Sequence, residues 1–136
     1  MKANKSLFVL TLVLTLSLAA CGTSQRDADL ENTAWSLIEV NGQPILDGTN
    51  PTLVFEDDRA GGNGSCNTFS GDYTAENGKL TFGPIVSTLM FCDGFMDQES
   101  AYLTALQEAA GYQIRGDNLE ILDAAGQVTL TFAPQN

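Results

Sequence analysis

The part of the sequence that decides the fold is its centre, which reads Gly64-Ser65-Cys66-Asn67-Thr68-Phe69-Ser70-Gly71-Asp72-Tyr73. A glycine-rich run, Gly61-Gly62-Asn63, comes directly before it. A phosphate-binding loop would need a lysine and a helix after these glycines, and neither pattern is present. We therefore interpret the run as a bulged strand that other backbone approaches closely, leading into a further strand over residues 69–74.

Short runs rich in β-branched and aromatic residues recur on both sides of this centre. Alternation is clearest at 53–56 and 128–132, where every second residue is a large apolar group suited to one buried face. Asn41-Gly42, Asn77-Gly78 and Asp117-Asn118 lie between runs and favour tight hairpin turns, so consecutive strands are expected to pair antiparallel. The predicted strands are 33–40, 52–56, 69–74, 79–82, 85–90, 112–115, 119–122 and 128–132.

One segment has a helical period instead. From residue 97 to residue 111 the apolar residues recur with the spacing of an amphipathic helix. Asp93 or Asp97 is expected to cap its start and Gly111 its end. The predicted fold is therefore a β-rich α+β domain: a curved antiparallel sheet, or small open (cracked) β-barrel, with one amphipathic helix packed across it.

The first twenty residues have the layout of a bacterial lipoprotein signal peptide. Two lysines precede an uncharged apolar run of about fifteen residues, which is too short to cross a bilayer as a helix. The run ends in Leu18-Ala19-Ala20-Cys21, which resembles the lipobox, where the cysteine is acylated and becomes the new N-terminus. We predict a signal peptide over 1–20, a lipid such as palmitate on Cys21, a flexible tether over 21–32 and a domain over 33–133. An ordinary signal peptide that happens to precede a cysteine is the alternative.

The cysteine count predicts one disulfide. The chain has three cysteines, and if Cys21 carries lipid, Cys66 and Cys92 remain as an even pair in an exported protein. Free or metal-binding thiols are the alternative. It is disfavoured because the chain has no histidine and no second thiol pair to complete a tetrahedral site.

The residue types offer little for catalysis. Without histidine, neither a Ser-His-Asp nor a Cys-His site can be assembled. A pair of carboxylates drawn from Asp57, Asp58, Asp72 and Asp93 is conceivable, but Asp57-Asp58 falls between two predicted strands and is typical of a turn. We predict no catalytic residue, no cofactor and no metal site.

Charge narrows the range of partners. The net charge is −11, and cleavage after residue 20 would remove two lysines and no acid. The cations that remain, Arg26, Arg59, Lys79 and Arg115, are scattered, so no nucleic acid is expected as a partner. Anionic head groups would also repel the domain, so the membrane would be held through the lipid on Cys21. Repulsion between copies favours a monomer.

Apolar residues cluster beside the second cysteine of the predicted pair. Met90, Phe91, Phe95 and Met96 surround Cys92 in the sequence. Such a surplus in a small domain is either part of the core or an exposed contact patch. The sequence leaves both interpretations open, and these four residues form a candidate binding patch.

Further residues extend the pattern of the central motif along the chain: Trp35, residues 80–82 and 88–92, Glu99 with Leu103 and Leu106, and the closing residues 112–119, Gly126 and 130–132. On these residues the chain resembles the META domain family over residues 33–132. The family is one of bacterial envelope proteins associated with stress tolerance, secretion or motility. The resemblance implies an antiparallel β-rich fold with a helix, similar in shape to cracked-barrel pilot lipoproteins of type III secretion, and it brings no catalytic residues. Phe91 departs from the pattern, since a small residue usually precedes the second cysteine.

Together these features predict a membrane-anchored envelope lipoprotein that acts as a non-catalytic binding module in envelope stress tolerance or assembly, with an envelope protein as its partner. Gly22 follows the cysteine where an aspartate would favour the inner membrane, so the expected location in a two-membrane cell is the outer membrane, facing the periplasm. The alternative is a carrier for a small apolar ligand or acyl chain in the mouth of the barrel, which rests on fold-level analogy.

We expect the mature protein to begin at an acylated Cys21, because several acyl chains on one residue give stable membrane anchoring. Mass spectrometry of the N-terminal peptide checks this. A Cys21→Ala variant should leave the membrane fraction, and the prediction is wrong if that variant still sediments with membranes.

Overall fold

A computed structural model describes residues 29–135, so the predictions for the signal peptide and Cys21 lie outside the described residues. The described chain forms ten strands and one helix. In chain order these are β1 (Thr33–Val40), β2 (Gln43–Pro44), β3 (Thr52–Glu56), β4 (Arg59–Asn63), β5 (Thr68–Glu76), β6 (Lys79–Phe82), β7 (Val86–Ser87), α1 (Met96–Gln107), β8 (Gly111–Arg115), β9 (Asn118–Leu122) and β10 (Val128–Pro134).

The strands form an antiparallel, nearly closed barrel. The order across the sheet is β6-β5-β4-β3-β1-β10-β9-β8, while β2 pairs with β1 and β7 pairs with β5. The two ends of this path meet, because Tyr112 donates its N–H to the Gly78 carbonyl at 2.9 Å and Leu80 donates to Ala110 at 3.4 Å. Helix α1 packs against β1, β10 and β6. The predicted fold class is confirmed.

Alternation places the core inside the barrel. In β3 the side chains of Leu53 and Phe55 are buried, and in β10 those of Leu130 and Phe132 are buried, while their neighbours are not. Both predicted Asn-Gly turns have positive φ at each central residue, as hairpins with two-residue turns require. The third turn differs from the prediction, because the left-handed residue there is Gly116.

The helix is shorter than predicted and begins without the expected cap. It spans Met96–Gln107, its N-cap residue is Phe95, and no side chain caps it, so the predicted caps Asp93 and Asp97 are wrong. Gly111 does not end the helix either, because it is the first residue of β8. Tertiary contacts fix both boundaries: the Ala110 carbonyl already accepts from β6, and the first turn is held by a buried carboxylate described below.

Strand β2 was missing from the predicted set, and the strand predicted over 85–90 is reduced to β7. The bulged strand expected at the glycine-rich run is β4, but its pairing with both neighbours is regular and has no bulge. Strand β4 contains the glycine-rich run and lies between β3 and β5. A Cβ built at Gly62 would overlap the carbonyl oxygen of Thr52, and one at Gly61 would lie 2.9 Å from the carbonyl oxygen of Phe69. The glycines therefore permit the close approach of neighbouring backbone that the sequence indicated.

The packed part of the chain begins within the segment predicted as a tether. Leu30 is only 2 % exposed and belongs to the core. Glu31 accepts a hydrogen bond from the Tyr73 hydroxyl at 2.6 Å and another from the Asp57 N–H at 2.6 Å. Residues 30 and 31 thus close one end of the barrel, beside the β3–β4 turn and the β5–β6 hairpin.

We expect Gly62→Ala to destabilise the domain by about 3 kcal/mol or more, because the new methyl group has no space beside the Thr52 carbonyl. Urea denaturation of the purified protein measures this. Gly83→Ala is the matched control, since its Cβ would lie 3.7 Å from the nearest atom, and equal losses in the two variants would contradict the steric explanation.

Candidate functional site

The site is built around one buried carboxylate, that of Glu99 in the first turn of α1. Its side chain is 3 % exposed. One carboxylate oxygen, Oε2, accepts the backbone N–H groups of Cys66 at 2.8 Å and Asn67 at 2.7 Å. The other, Oε1, accepts from the Asn67 side-chain Nδ2 at 2.6 Å. The helix is therefore attached to the central motif by three hydrogen bonds to a charged acceptor, a strong class of hydrogen bond.

The chain before Cys66 is shaped to receive this carboxylate. A Cβ at Gly64 would lie 2.7 Å from Glu99 Oε2 and 2.8 Å from its Cγ, so only glycine fits there without displacing the carboxylate. Ser65 follows with a φ of 120°, a value that side chains seldom adopt. Asn63 Oδ1 supports this conformation by accepting the Ser65 N–H at 2.8 Å.

Asn67 also binds the segment that follows β7. Its Oδ1 accepts the Met90 N–H at 2.7 Å and the Thr88 hydroxyl at 2.8 Å. Its Nδ2, besides binding Glu99, donates to the Met90 carbonyl at 3.0 Å. The amide of this side chain is 3 % exposed and fully used, so it binds Met90 much as a peptide group of a neighbouring strand would.

A disulfide closes the same region. Cys66 and Cys92 are joined, with their Cα atoms 5.8 Å apart, as the cysteine count predicted. The Cys92 N–H also donates to the Met96 sulfur at 3.4 Å. The segment from Thr88 to Cys92 is thus fixed at both ends, by Asn67 and by the disulfide.

The hydrogen bonds decide the charge state of Glu99. Burial alone would raise the pKa of its carboxyl group, because desolvation disfavours the anion. The bonds from Asn67 and Cys66 outweigh that effect, and the pKa lies below its ordinary value. Glu99 is therefore an anion at neutral pH, and its bonding groups are satisfied within the fold.

The segment fixed in this way exposes large apolar side chains. Leu89 is 96 % exposed, Phe91 78 %, Val86 64 % and Met90 58 %, and we call these four residues the apolar loop. Of the predicted patch, Met90 and Phe91 are exposed, while Phe95 and Met96 are half-buried at the start of α1. Val86 and Leu89 extend the patch beyond the prediction. No charged residue occurs from residue 80 to residue 92.

The predicted carboxylates do not come together. Asp57 and Asp58 form the left-handed β3–β4 turn, Asp72 pairs with Arg59 at 2.7 Å, and Asp93 is exposed before α1. Within residues 29–135 no group of three or more acids and cysteines is arranged to hold a metal ion. Over the same range no helix is both long and apolar enough to cross a membrane.

A depression of about 620 Å³ lies at the other end of the barrel. Burial and the adjacent Glu31 raise the pKa of the Tyr73 hydroxyl, while the bond from that hydroxyl lowers the pKa of Glu31. The carboxylates that line the depression are those of Asp29, Glu31, Asp58 and Glu76.

Sequence reasoning missed the partners of Glu99. Glu99 is one of the residues that carry the family resemblance. The sequence of the helix alone does not show that its carboxylate binds backbone N–H groups more than thirty residues earlier in the chain. The usable signal was Gly64, two residues before Cys66, because glycine is the usual residue where another group approaches the backbone closely. The exposure of Leu89 had no signal, since exposed and buried leucines are alike in sequence.

Comparison with known proteins gives consistent results. The family model described as META domain matches residues 28–136. Heat shock protein HslJ of Escherichia coli (strain K12) is 27 % identical over 128 residues, which cover 89 % of this chain and 90 % of that protein. An NMR structure of a protein from Burkholderia xenovorans has a TM-score of 0.63 at 29 % identity, covering 79 % of this chain and 84 % of its own. A second NMR structure, at 24 % identity, shares the fold with a TM-score of 0.61 over 75 % of this chain and 88 % of its own.

We expect Glu99→Gln to lower the free energy of unfolding at pH 7 by about 2 to 3 kcal/mol. The charge-assisted bonds become neutral, and even with the amide oxygen toward the two backbone N–H groups the new NH₂ group faces the Asn67 Nδ2 donor. Since the folded-state pKa of Glu99 is depressed, its contribution is fully present above pH 4.5, the ordinary value, and is lost as the pH falls through the lower folded-state pKa.

Urea denaturation from pH 7 to pH 3 measures both effects. The difference between wild type and Glu99→Gln should shrink as the pH falls. Glu108→Gln, which changes an exposed carboxylate at the end of the same helix, should have little effect. A difference that stays constant down to pH 3 would rule out the ionised Glu99 as its source.

Proposed function

This chain belongs to the META domain family, and on that premise we propose that it is a lipid-anchored envelope protein that acts in stress tolerance as a non-catalytic binding module, with the apolar loop as its contact surface. The similarity to a protein named heat shock protein HslJ supports the stress-related part of this proposal. The signal-peptide layout and Cys21 support its anchoring, at the outer membrane in a two-membrane cell.

The observation that carries the binding function is the exposure of the apolar loop on a fixed backbone. Leaving four large apolar side chains in water forgoes about 25 cal/mol for each Å² of apolar surface. A flexible loop could reduce this cost by collapsing onto the domain. Here Asn67 and the Cys66–Cys92 disulfide hold the segment in place, so the side chains stay exposed to solvent and accessible to a partner.

A fixed loop is also favourable for affinity. Binding to a mobile segment loses free energy because each ordered side chain and backbone residue gives up conformational freedom. At the apolar loop the backbone part of that loss has already occurred during folding, because Asn67 and the disulfide hold the segment. The surrounding acids, including Asp93 and Asp97, would disfavour strongly acidic partners and leave a neutral or basic surface as the suitable one.

The carrier function has no comparable support. The barrel interior is filled by fully buried side chains, among them Phe55, Tyr102 and Phe132. The depression near Tyr73 is lined by four carboxylates, and an apolar chain placed there would desolvate them at a cost.

We expect a photo-reactive benzoyl-phenylalanine placed at position 91 of the full chain to form one discrete cross-linked adduct in intact cells of the source bacterium. Adding Leu89→Ser should abolish the adduct while leaving the melting temperature nearly unchanged, because an exposed substitution changes stability by only about 0.5 kcal/mol. Gel mobility and mass spectrometry identify the adduct.

The matched control places the same photo-reactive residue at Val128, an exposed apolar position on β10. That position should give no discrete adduct. Equal cross-linking at the two positions, or none at position 91, would remove the basis for the proposed contact surface.

A further inference from the structure

The backbone beneath the apolar loop has the hydrogen-bonding pattern of an open sheet edge. Strand β7 pairs antiparallel with β5, with Phe69 opposite Ser87 and Ser70 opposite Val86. In the same register the Thr88 N–H donates to the Thr68 carbonyl at 3.0 Å. Bonded and non-bonded pairs alternate in an antiparallel ladder, so Val86 and Thr88 bond toward β5 and the backbone of Ser87 points away from it.

The side chain of Asn67 continues this pattern by two residues. Its amide accepts the N–H of Met90 and donates to the carbonyl of Met90. These are the bonds that the backbone of a longer β5 would make in the same register. Residues 86, 88 and 90 therefore bond inward, while the N–H and carbonyl groups of Ser87 and Leu89 face outward. Among residues 29–135 no group pairs with these outward-facing positions. We call residues 86–90 the edge segment.

This edge lacks the protection that sheet edges ordinarily carry. Natural edges are blunted by charged side chains, proline, bulges or covering elements. The edge segment has no charge and no proline, and its side chains include the exposed Val86 and Leu89. The path through the barrel closes on itself between β6 and β8, so the eight main strands are paired while the edge segment stays open.

We propose that the edge segment binds an extended segment of another polypeptide as an added antiparallel or parallel strand, with apolar side chains of the partner packed on the apolar loop. This deepens the proposed function and rests on it. Backbone groups of Ser87 and Leu89 supply the hydrogen bonds. The side chains of Leu89 and Phe91 are two residues apart and lie on one face of an extended chain, so they select apolar residues at alternate positions of the partner.

Charge decides among the occupants of this edge. A second copy of the chain would bring another net charge of −11 against the first, and the exposed Asp93 and Asp97 follow the segment in the chain. An uncharged apolar strand with basic flanking residues avoids this repulsion. The partner is therefore a neutral or basic polypeptide, distinct from this chain.

The test uses the purified full chain to select from a displayed library of random peptides of about twelve residues. Enriched peptides should alternate apolar and polar residues and lack acids. N-methylation of the peptide at alternate backbone positions should weaken its binding by about tenfold or more in one register and hardly in the other, because only one set of N–H groups faces the edge.

Ser87→Pro is the decisive variant of the protein. It removes an outward N–H while every inward bond stays, and proline is tolerated at edges in that position. It should weaken binding of the selected peptide by about tenfold, whereas the matched control Ser87→Ala, which keeps the N–H, should bind normally. If Ser87→Pro does not fold, the N-methylated peptides decide the question alone.

The remaining outcomes separate this inference from the proposed function. One outcome is that binding of the selected peptides to the chain is weakened by Phe91→Ser but unchanged by Ser87→Pro and by N-methylation of the peptide. That result would overturn strand addition and would still support the apolar loop as the contact surface. Failure to enrich any peptide would overturn the inference. Two further results would also overturn it. One is flotation of the unlipidated Cys21→Ala chain with phosphatidylethanolamine vesicles that Phe91→Ser abolishes, which identifies a membrane as the occupant. The other is dimerisation in sedimentation equilibrium that Ser87→Pro abolishes, which identifies a second copy as the occupant.

Discussion

The structure depends on the bond between the Glu99 carboxylate and the backbone of Cys66 and Asn67. A buried anion is costly unless donors surround it, and here the donors come from a single short turn whose shape requires Gly64. The helix, the central motif and the segment after β7 are all positioned by this one group. Asn67 and the disulfide connect this buried carboxylate to the exposed apolar loop, because they hold the backbone of Met90 and Cys92.

This arrangement explains how one small domain both fills its core and keeps large apolar side chains exposed. Its core is filled by the barrel strands and α1, with Tyr102 fully buried between Phe69 and Phe132. Its surface nevertheless keeps the four side chains of the apolar loop in water. A polar network at the boundary makes this arrangement stable, because Asn67 satisfies the backbone of Met90 without burying the Met90 side chain.

Local pattern was sufficient for much of the fold. Strands β1, β3 and β6 have the bounds that alternation and turn residues predicted, and the pairing of Cys66 with Cys92 followed from counting. The glycine-rich run predicted a strand at β4 but neither its bounds nor its regular pairing, because glycines carry no apolar period and the pairing is determined by the neighbours β3 and β5. The cap of α1 was mispredicted for a related reason: local acids suggested a cap, whereas the helix start is fixed by Glu99 and a turn more than thirty residues away. Whether Leu89 or Met96 would be exposed depended on the same distant contacts.

The burial of Leu30 has a consequence for how far the domain can stand from a membrane. If Cys21 carries the lipid, only the eight residues 22–29 separate it from Leu30, and the nine Cα–Cα steps from Cys21 to Leu30 can span at most about 30 Å. That length is close to the diameter of the domain itself, so the protein would work within a thin layer above the lipid surface. A partner that lies deeper in the compartment would have to send an extended arm into that layer to be reached.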